Sequence, residues 1–407
     1  MNRSRTWSWL RARPGKKALR PFARWRRLFL EPLEERVLLT ATWKNPAGGD
    51  WSVPSNWTSG TVPGVNDDVV IDVPSALVTI THSSGTDTVK SLVSNENLTL
   101  SGGSLTVTTT VQVAGTFTLS GGTLAGATVV TGTTLKGTTS GGTLSNVTLQ
   151  GNLDLTGAAN VRVNVSGGPL TLSNATVSLG DGGGNYGLLI FSDDAAALAG
   201  SGSVVFANGF QGVYNTLQEN ASGGTLTIGP GVTVHGGSGS VGYNANWGGF
   251  ANVSVVNQGT IAADGPGTLT VNGTNWTSSG ALRASGGTLA LSGTWSSTGT
   301  LGESGATLNL GGSFTTAGLN LASFTRSGGA VNLTGTLNNS GSVLPLSAAT
   351  GSWSLLGGTV SGGTVSVSGG AALVGTNLGG TLSGGVTLLG DPSLSLPQAL
   401  DLRCARS

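Results

Sequence analysis

Gly267-Thr268-Leu269-Thr270-Val271-Asn272-Gly273, Gly287-Thr288-Leu289-Ala290-Leu291-Ser292-Gly293, Ala306-Thr307-Leu308-Asn309-Leu310-Gly311-Gly312 and Ala330-Val331-Asn332-Leu333-Thr334-Gly335 are four versions of one phrase. In each, Leu or Val alternates with Thr, Asn or Ala, the period of a strand with one face in and one face out. Gly, Ser and Asn bound each run, and they punctuate turns. Leu269, Leu289, Leu308 and Val331, the first apolar strand residue of each phrase, are spaced by 20, 19 and 23 residues. A bulky apolar residue follows each phrase: Trp276, Trp295, Phe314 and Leu337.

The same vocabulary extends in both directions. Gly-Gly pairs starting at Gly102, Gly121 and Gly141 recur at 19 and 20 residues, and later pairs from Gly357 to Gly384 keep the wording with looser spacing. One strand of this length buries too little surface to be stable alone, whereas stacked units bury a continuous core. The spacing therefore predicts an all-β fold, a parallel β-helix of about 16 short coils of about 20 residues, near 75 Å long at about 4.8 Å per coil. Glycine belongs at its corners, where positive φ is needed. Trp276, Trp295, Phe314 and Leu337 should stack as a ladder, internal or flanking. A series of β-sandwiches is the rival architecture, but it wants longer strands. Longer excursions are expected at 181–220 and around Gly242-Tyr243-Asn244-Ala245-Asn246-Trp247-Gly248.

Composition narrows the class. The 407 residues include 70 Gly and only 9% charged residues. Gly without a strict three-residue period excludes a collagen triple helix. Low charge with steady Val and Leu argues against a solvated disordered chain. A single Cys, Cys404, excludes an internal disulfide framework. No run of 18 apolar residues occurs, so no transmembrane helix is expected. Residues 1–36 hold 11 of the 19 Lys and Arg but 3 of the 18 acids, leaving the remainder at −7. A basic leader on a mildly acidic body reads as a targeting segment, and the body has no basic face to track phosphates, so no nucleic acid partner is expected.

Within that leader, Leu33-Glu34-Glu35-Arg36-Val37-Leu38-Leu39-Thr40-Ala41 resembles the LEPR-XLL N-terminal motif of large planctomycete surface and exported proteins. Leu33, Glu34, Arg36, Leu38 and Leu39 match, and Glu35 stands where the motif has Pro. The resemblance implies an export or sorting signal, an extracellular or cell-surface location and a right-handed solenoid. Residues 1–41 are thus expected to be a short helical leader, cleaved near Ala41. Residues 42–73, with Trp43, Trp51 and Trp57, resemble the opening of many bacterial surface β-solenoids and are read as a Trp-rich capping module. A cap is needed because a first coil exposes unpaired edges. The solenoid proper is placed at 74–396, with 397–407 a tail that reads as truncated.

The search for chemistry yields little. His82 and His235 have no Cys or second His beside them, so no zinc signature exists, and both are read as turn or surface residues. A Ca²⁺ site around Asp67, Asp68 and Asp72 is an alternative use of the entry region, but such a site takes about six to eight oxygens and three local carboxylates do not establish one. Asp193-Asp194 is the only adjacent acidic pair in the solenoid, and adjacent strand residues point to opposite faces. Glycoside hydrolysis wants two carboxylates flanking one bond. The expectation is a non-catalytic scaffold or adhesin-like protein with no cofactor or metal, open to edge-to-edge self-association. The alternatives are a polysaccharide lyase or hydrolase, with a groove beside Asp193 and Asp194, and a non-catalytic glycan-binding module that uses Trp247, Trp276 and Trp295 against surface polysaccharide or other envelope components.

Overall fold

The computed structural model describes residues 40–74, 77–390 and 403–404. These residues form a three-sided parallel β-helix. Strands on each side pair in parallel with the equivalent strand one turn away. The third face is a sheet of 14 strands, from Thr86–Val89 to Leu373–Gly375. The first and second faces join in a 23-stranded sheet, and sheets of five and three strands continue them toward the C-terminus. The join is made by Leu170–Leu179 and Ala195–Phe206, which run unbroken round the corner between the two faces. The 14 turns with a third-face strand, together with Thr40–Thr42/Gly49–Asp50 before them and Thr381–Ser383/Thr387–Gly390 after them, make sixteen, and Arg403–Cys404 pairs with Thr381–Ser383 at the start of a further one.

The register follows the sequence spacing. Leu269 pairs with Leu289, Leu289 with Leu308, and Leu308 with Val331. Their strands alternate inward and outward, so Leu289 and Leu291 are buried while Thr288 and Ala290 are not. Each inward Val or Leu meets its counterpart from the turns before and after, and burial of each such side chain contributes roughly 1.5–3 kcal/mol. Third-face partners are 18 residues apart at Thr86 and Ser104 but 30 apart at Gly239 and Leu269. The extra length sits where excursions were expected: the turns from Val161 to Gly187 and from Leu188 to Thr216 are long as well.

Corners need backbone that most residues resist. Gly293 and Gly312 occupy successive turns at one corner with φ of +76° and +61°. A Cβ on Gly312 would lie 2.0 Å from the carbonyl oxygen of Gly293, so this corner needs both positive φ and bare backbone. Asn, whose short side chain tolerates the left-handed region, takes the role at Asn174 (φ 60°), in the irregularity that bends Leu170–Leu179.

Residues 42–73 continue directly into the stack. Thr40–Thr42 pairs with Asp68–Ile71, and Gly49–Asp50 with Thr79–His82, so Asp68–Ile71 already opens the second turn and the residues before it make the first. In place of a third-face strand, the first turn carries Trp43, Trp51 and Trp57, buried in edge-to-face contacts of 4.9 and 4.8 Å that join the solenoid core. Ala41 is buried within its first strand, so a cut after Ala41 would remove most of that strand. The expected helical leader and the motif at Leu33, Glu34, Arg36, Leu38 and Leu39 lie outside the described residues, as does most of the tail.

Candidate functional site

The bulky residues after each repeat phrase do form a ladder, and it is internal. Trp276 pairs with Trp295 in register, and their rings stack with centroids 5.5 Å apart. Trp295 stacks on Phe314 at 4.5 Å, and Phe314 is in register with Leu337. The indole N–H of Trp276 donates to Ser292 O and that of Trp295 to Gly311 O, so the polar edge of each ring is satisfied in place. Trp276 is 0% and Trp295 5% exposed. Their ring faces are spent on each other, and neither offers a stacking surface to a sugar. The expectation of a surface shared by Trp247, Trp276 and Trp295 is therefore corrected.

Trp247 lies elsewhere, on the third face, where two excursions fold back over the sheet. It is half-buried with Tyr186 and Tyr214, at centroid distances of 5.4 and 5.9 Å, and its indole N–H donates to Tyr214 O. Gln218 Nε2 donates to Gly248 O and ties the second excursion to the strand beneath. This cover explains why Leu188, in an outward position, is only 2% exposed. Beside the cover lies a notch of about 260 Å³ with Tyr243, Asn246, Thr270 and Asn272 in its walls.

A depression of about 620 Å³ lies on the outside of the first face above the aromatic ladder. Two columns of short polar side chains border it. Asn275, Thr294, Ser313 and Thr336 form one, and Thr277, Ser296, Thr315 and Asn338 the other. Both columns continue past the depression through Thr359 and Thr381 and through Ser361 and Ser383. No ionisable side chain lines the depression. Several of its groups are held in place: Asn275 Oδ1 accepts from Thr294 Oγ1, Thr315 Oγ1 accepts from Gly318 N, and Asn338 Oδ1 accepts from Ser340 N.

Asp193 and Asp194 do not form a paired acid. The Asp193 carboxylate accepts from the backbone N–H groups of Gly167 and Gly168 and braces the turn of the preceding coil. A third carboxylate, absent from the sequence reading, lies near both. Glu219 is fully buried, with Oε1 accepting from Ala221 N and Oε2 without a hydrogen-bond partner. Burial pushes its carboxyl up from 4.5 to about 7, and the charges of Asp193 and Asp194 push the same way. A carboxyl poised near neutrality is a catalytic type when a substrate can reach it. Glu219 has no exposed surface, so here it bears on stability.

One histidine departs from expectation. His82 is fully buried within Thr79–His82, its Nδ1 3.0 Å from Gly102 O and its Nε2 2.9 Å from Asp87. It shares the inward parity of Ile80 and is a core residue, not a turn or surface one. His235 is partly exposed on the second face, 3.0 Å from Asp264. Asp67, Asp68 and Asp72 bind separate partners: Gly64 N, Lys90 with Ser91, and Asn95. The Lys90 and Ser91 hydrogen bonds hold the partly exposed Asp68 carboxyl below its ordinary value. No group of three potential ligands able to hold a metal occurs among the described residues. At the corner after the second face, buried Glu303 lies 3.2 Å from Arg326 Nε, and Arg326 also donates to Gly329 O and Ser352 O.

No helix among the described residues is long and apolar enough to cross a membrane. No protein-family model, curated protein or solved structure matches the chain.

Proposed function

We propose that the chain is a non-catalytic, exported scaffold of the cell surface, adhesin-like in that its long sides present repeated binding groups. The observation that carries this reading is the sixteen-turn stack, whose outward columns are built from Thr, Ser and Asn. Such a stack is a stiff spacer, because each turn is bound along its strands to the turns on either side and opening one breaks contacts with both. Uncharged hydroxyl and amide rows suit contact with hydrated envelope polymers. The basic leader and its LEPR-XLL-like motif support export.

The test is location. Antibodies raised to residues 40–390 should label intact cells of the native host, and external protease should remove the signal. Label that is protected from protease and appears only after permeabilisation refutes the reading.

A further inference from the structure

We propose that the double column on the first face, between Asn275 and Asn338, binds one uncharged polysaccharide chain lying along the solenoid axis. This deepens the scaffold reading and rests on it. In-register stacking sets the side chains of each column about 4.8 Å apart, and the two columns, two residues apart on each strand, are about 6.6 Å apart. A polymer along the axis therefore meets a hydroxyl or amide on either flank at each turn, over the four turns that border the 620 Å³ depression. A polymer crossing the face would meet one turn only.

The chemistry selects the ligand class. Thr, Ser and Asn each donate and accept, which matches the hydroxyls of a neutral sugar. A uronate or sulfated chain would lose water from its charges with no cation among the lining residues to replace it. The rings of Trp276, Trp295 and Phe314 stiffen the floor from inside, so recognition relies on hydrogen bonds rather than ring stacking. Hydrogen bonds from Thr294 Oγ1, Gly318 N and Ser340 N hold Asn275, Thr315 and Asn338 in place beforehand, which lowers the ordering cost of binding.

The test is binding of the full chain to soluble neutral polysaccharides (β-glucan, mannan and xylan) against polygalacturonate and heparin, by affinity electrophoresis and calorimetry. At least one neutral polymer should bind, and the acidic ones should not. Ser296→Glu with Thr315→Glu should weaken that binding at least tenfold. Ser296→Leu with Thr315→Leu, which removes hydrogen bonding without adding charge, should do the same. Thr288→Glu with Thr307→Glu, outward on the third face, should leave it unchanged. Circular dichroism of each variant confirms the fold. Binding by none of the neutral polymers, preference for the acidic ones, or equal loss in the third-face variant overturns the proposal. Surface labelling without glycan binding would sink this inference and leave the scaffold reading standing. Glycan binding by a protein confined to the cytosol would do the reverse.

Discussion

Gly305 and Gly312 are seven residues apart, and both have left-handed backbone, φ of +65° and +61°. They differ in what surrounds them. A Cβ at Gly305 meets nothing within 4 Å, whereas one at Gly312 would lie 2.0 Å from Gly293 O and 2.6 Å from Gly293 N. Gly305→Ala should therefore cost only the left-handed penalty, about 1 kcal/mol. Gly312→Ala carries that penalty and must also displace one turn from the next, an overpacking cost of about 1–3 kcal/mol. The sum is about 3 kcal/mol, some three times the effect at Gly305. The assay is urea unfolding followed by tryptophan fluorescence, with the two midpoint shifts compared at a common slope. The ratio is informative even if turns unfold in stages, because both sites belong to neighbouring turns. Equal shifts, or a larger one at Gly305, would refute the claim that backbone contact between turns fixes this corner.

Further outcomes follow from the core and its buried charges. Trp295→Ala removes the middle of the Trp276–Trp295–Phe314 stack and should cost about 3–5 kcal/mol, while Ser296→Ala beside it stays within about 0.5 kcal/mol, both read from unfolding midpoints. Arg326→Met strands Glu303 in the core and should cost about 3–5 kcal/mol, with much of that loss restored by adding Glu303→Leu. Glu219 has a native pKa of about 7 against 4.5 ordinarily, so the folded chain binds more protons than the unfolded one between those values. Its contribution to stability thus falls as pH rises from about 4.5 to 7 and is level above. The full loss across that range is on the order of 3 kcal/mol. Glu219→Gln should flatten that part of the stability profile and be the more stable protein at pH 8.

The solenoid was legible because its signal is repeated. The alternation around Leu269, Leu289, Leu308 and Val331 marks the inward side, and their spacing is the register itself. The aromatic column was legible only in part. Sharing a position with Leu337 and lying between polar neighbours places Trp276 and Trp295 inside, yet a lone tryptophan also suits a sugar platform, and burial settles the matter. The inward position of His82 could have been read from its parity with Ile80. Glu219 could not, since its burial depends on how one corner closes over one carboxylate. Trp247 was equally opaque, because it lies in an excursion whose return path no repeat dictates. The depression above the ladder escaped the reading for another reason. Thr, Ser and Asn fill outward positions everywhere in the chain, and only the fold shows that eight of them border one hollow.

Register is most directly tested by cross-linking. Asn309, Asn332 and Ser354 lie on successive turns of the third face, and Asn332 Nδ2 donates to Asn309 Oδ1 at 2.9 Å. Adjacent positions have Cα atoms about 4.8 Å apart, within disulfide range, whereas positions two turns apart, at about 9.6 Å, are beyond it. In a Cys404→Ser background, Asn309→Cys with Asn332→Cys should form a disulfide under mild oxidation, seen as an altered gel mobility reversed by reductant. Asn309→Cys with Ser354→Cys should stay reduced. Failure of the first pair to close, or equal closure of the second, would contradict the stacked parallel register on which the scaffold and its glycan surface both depend.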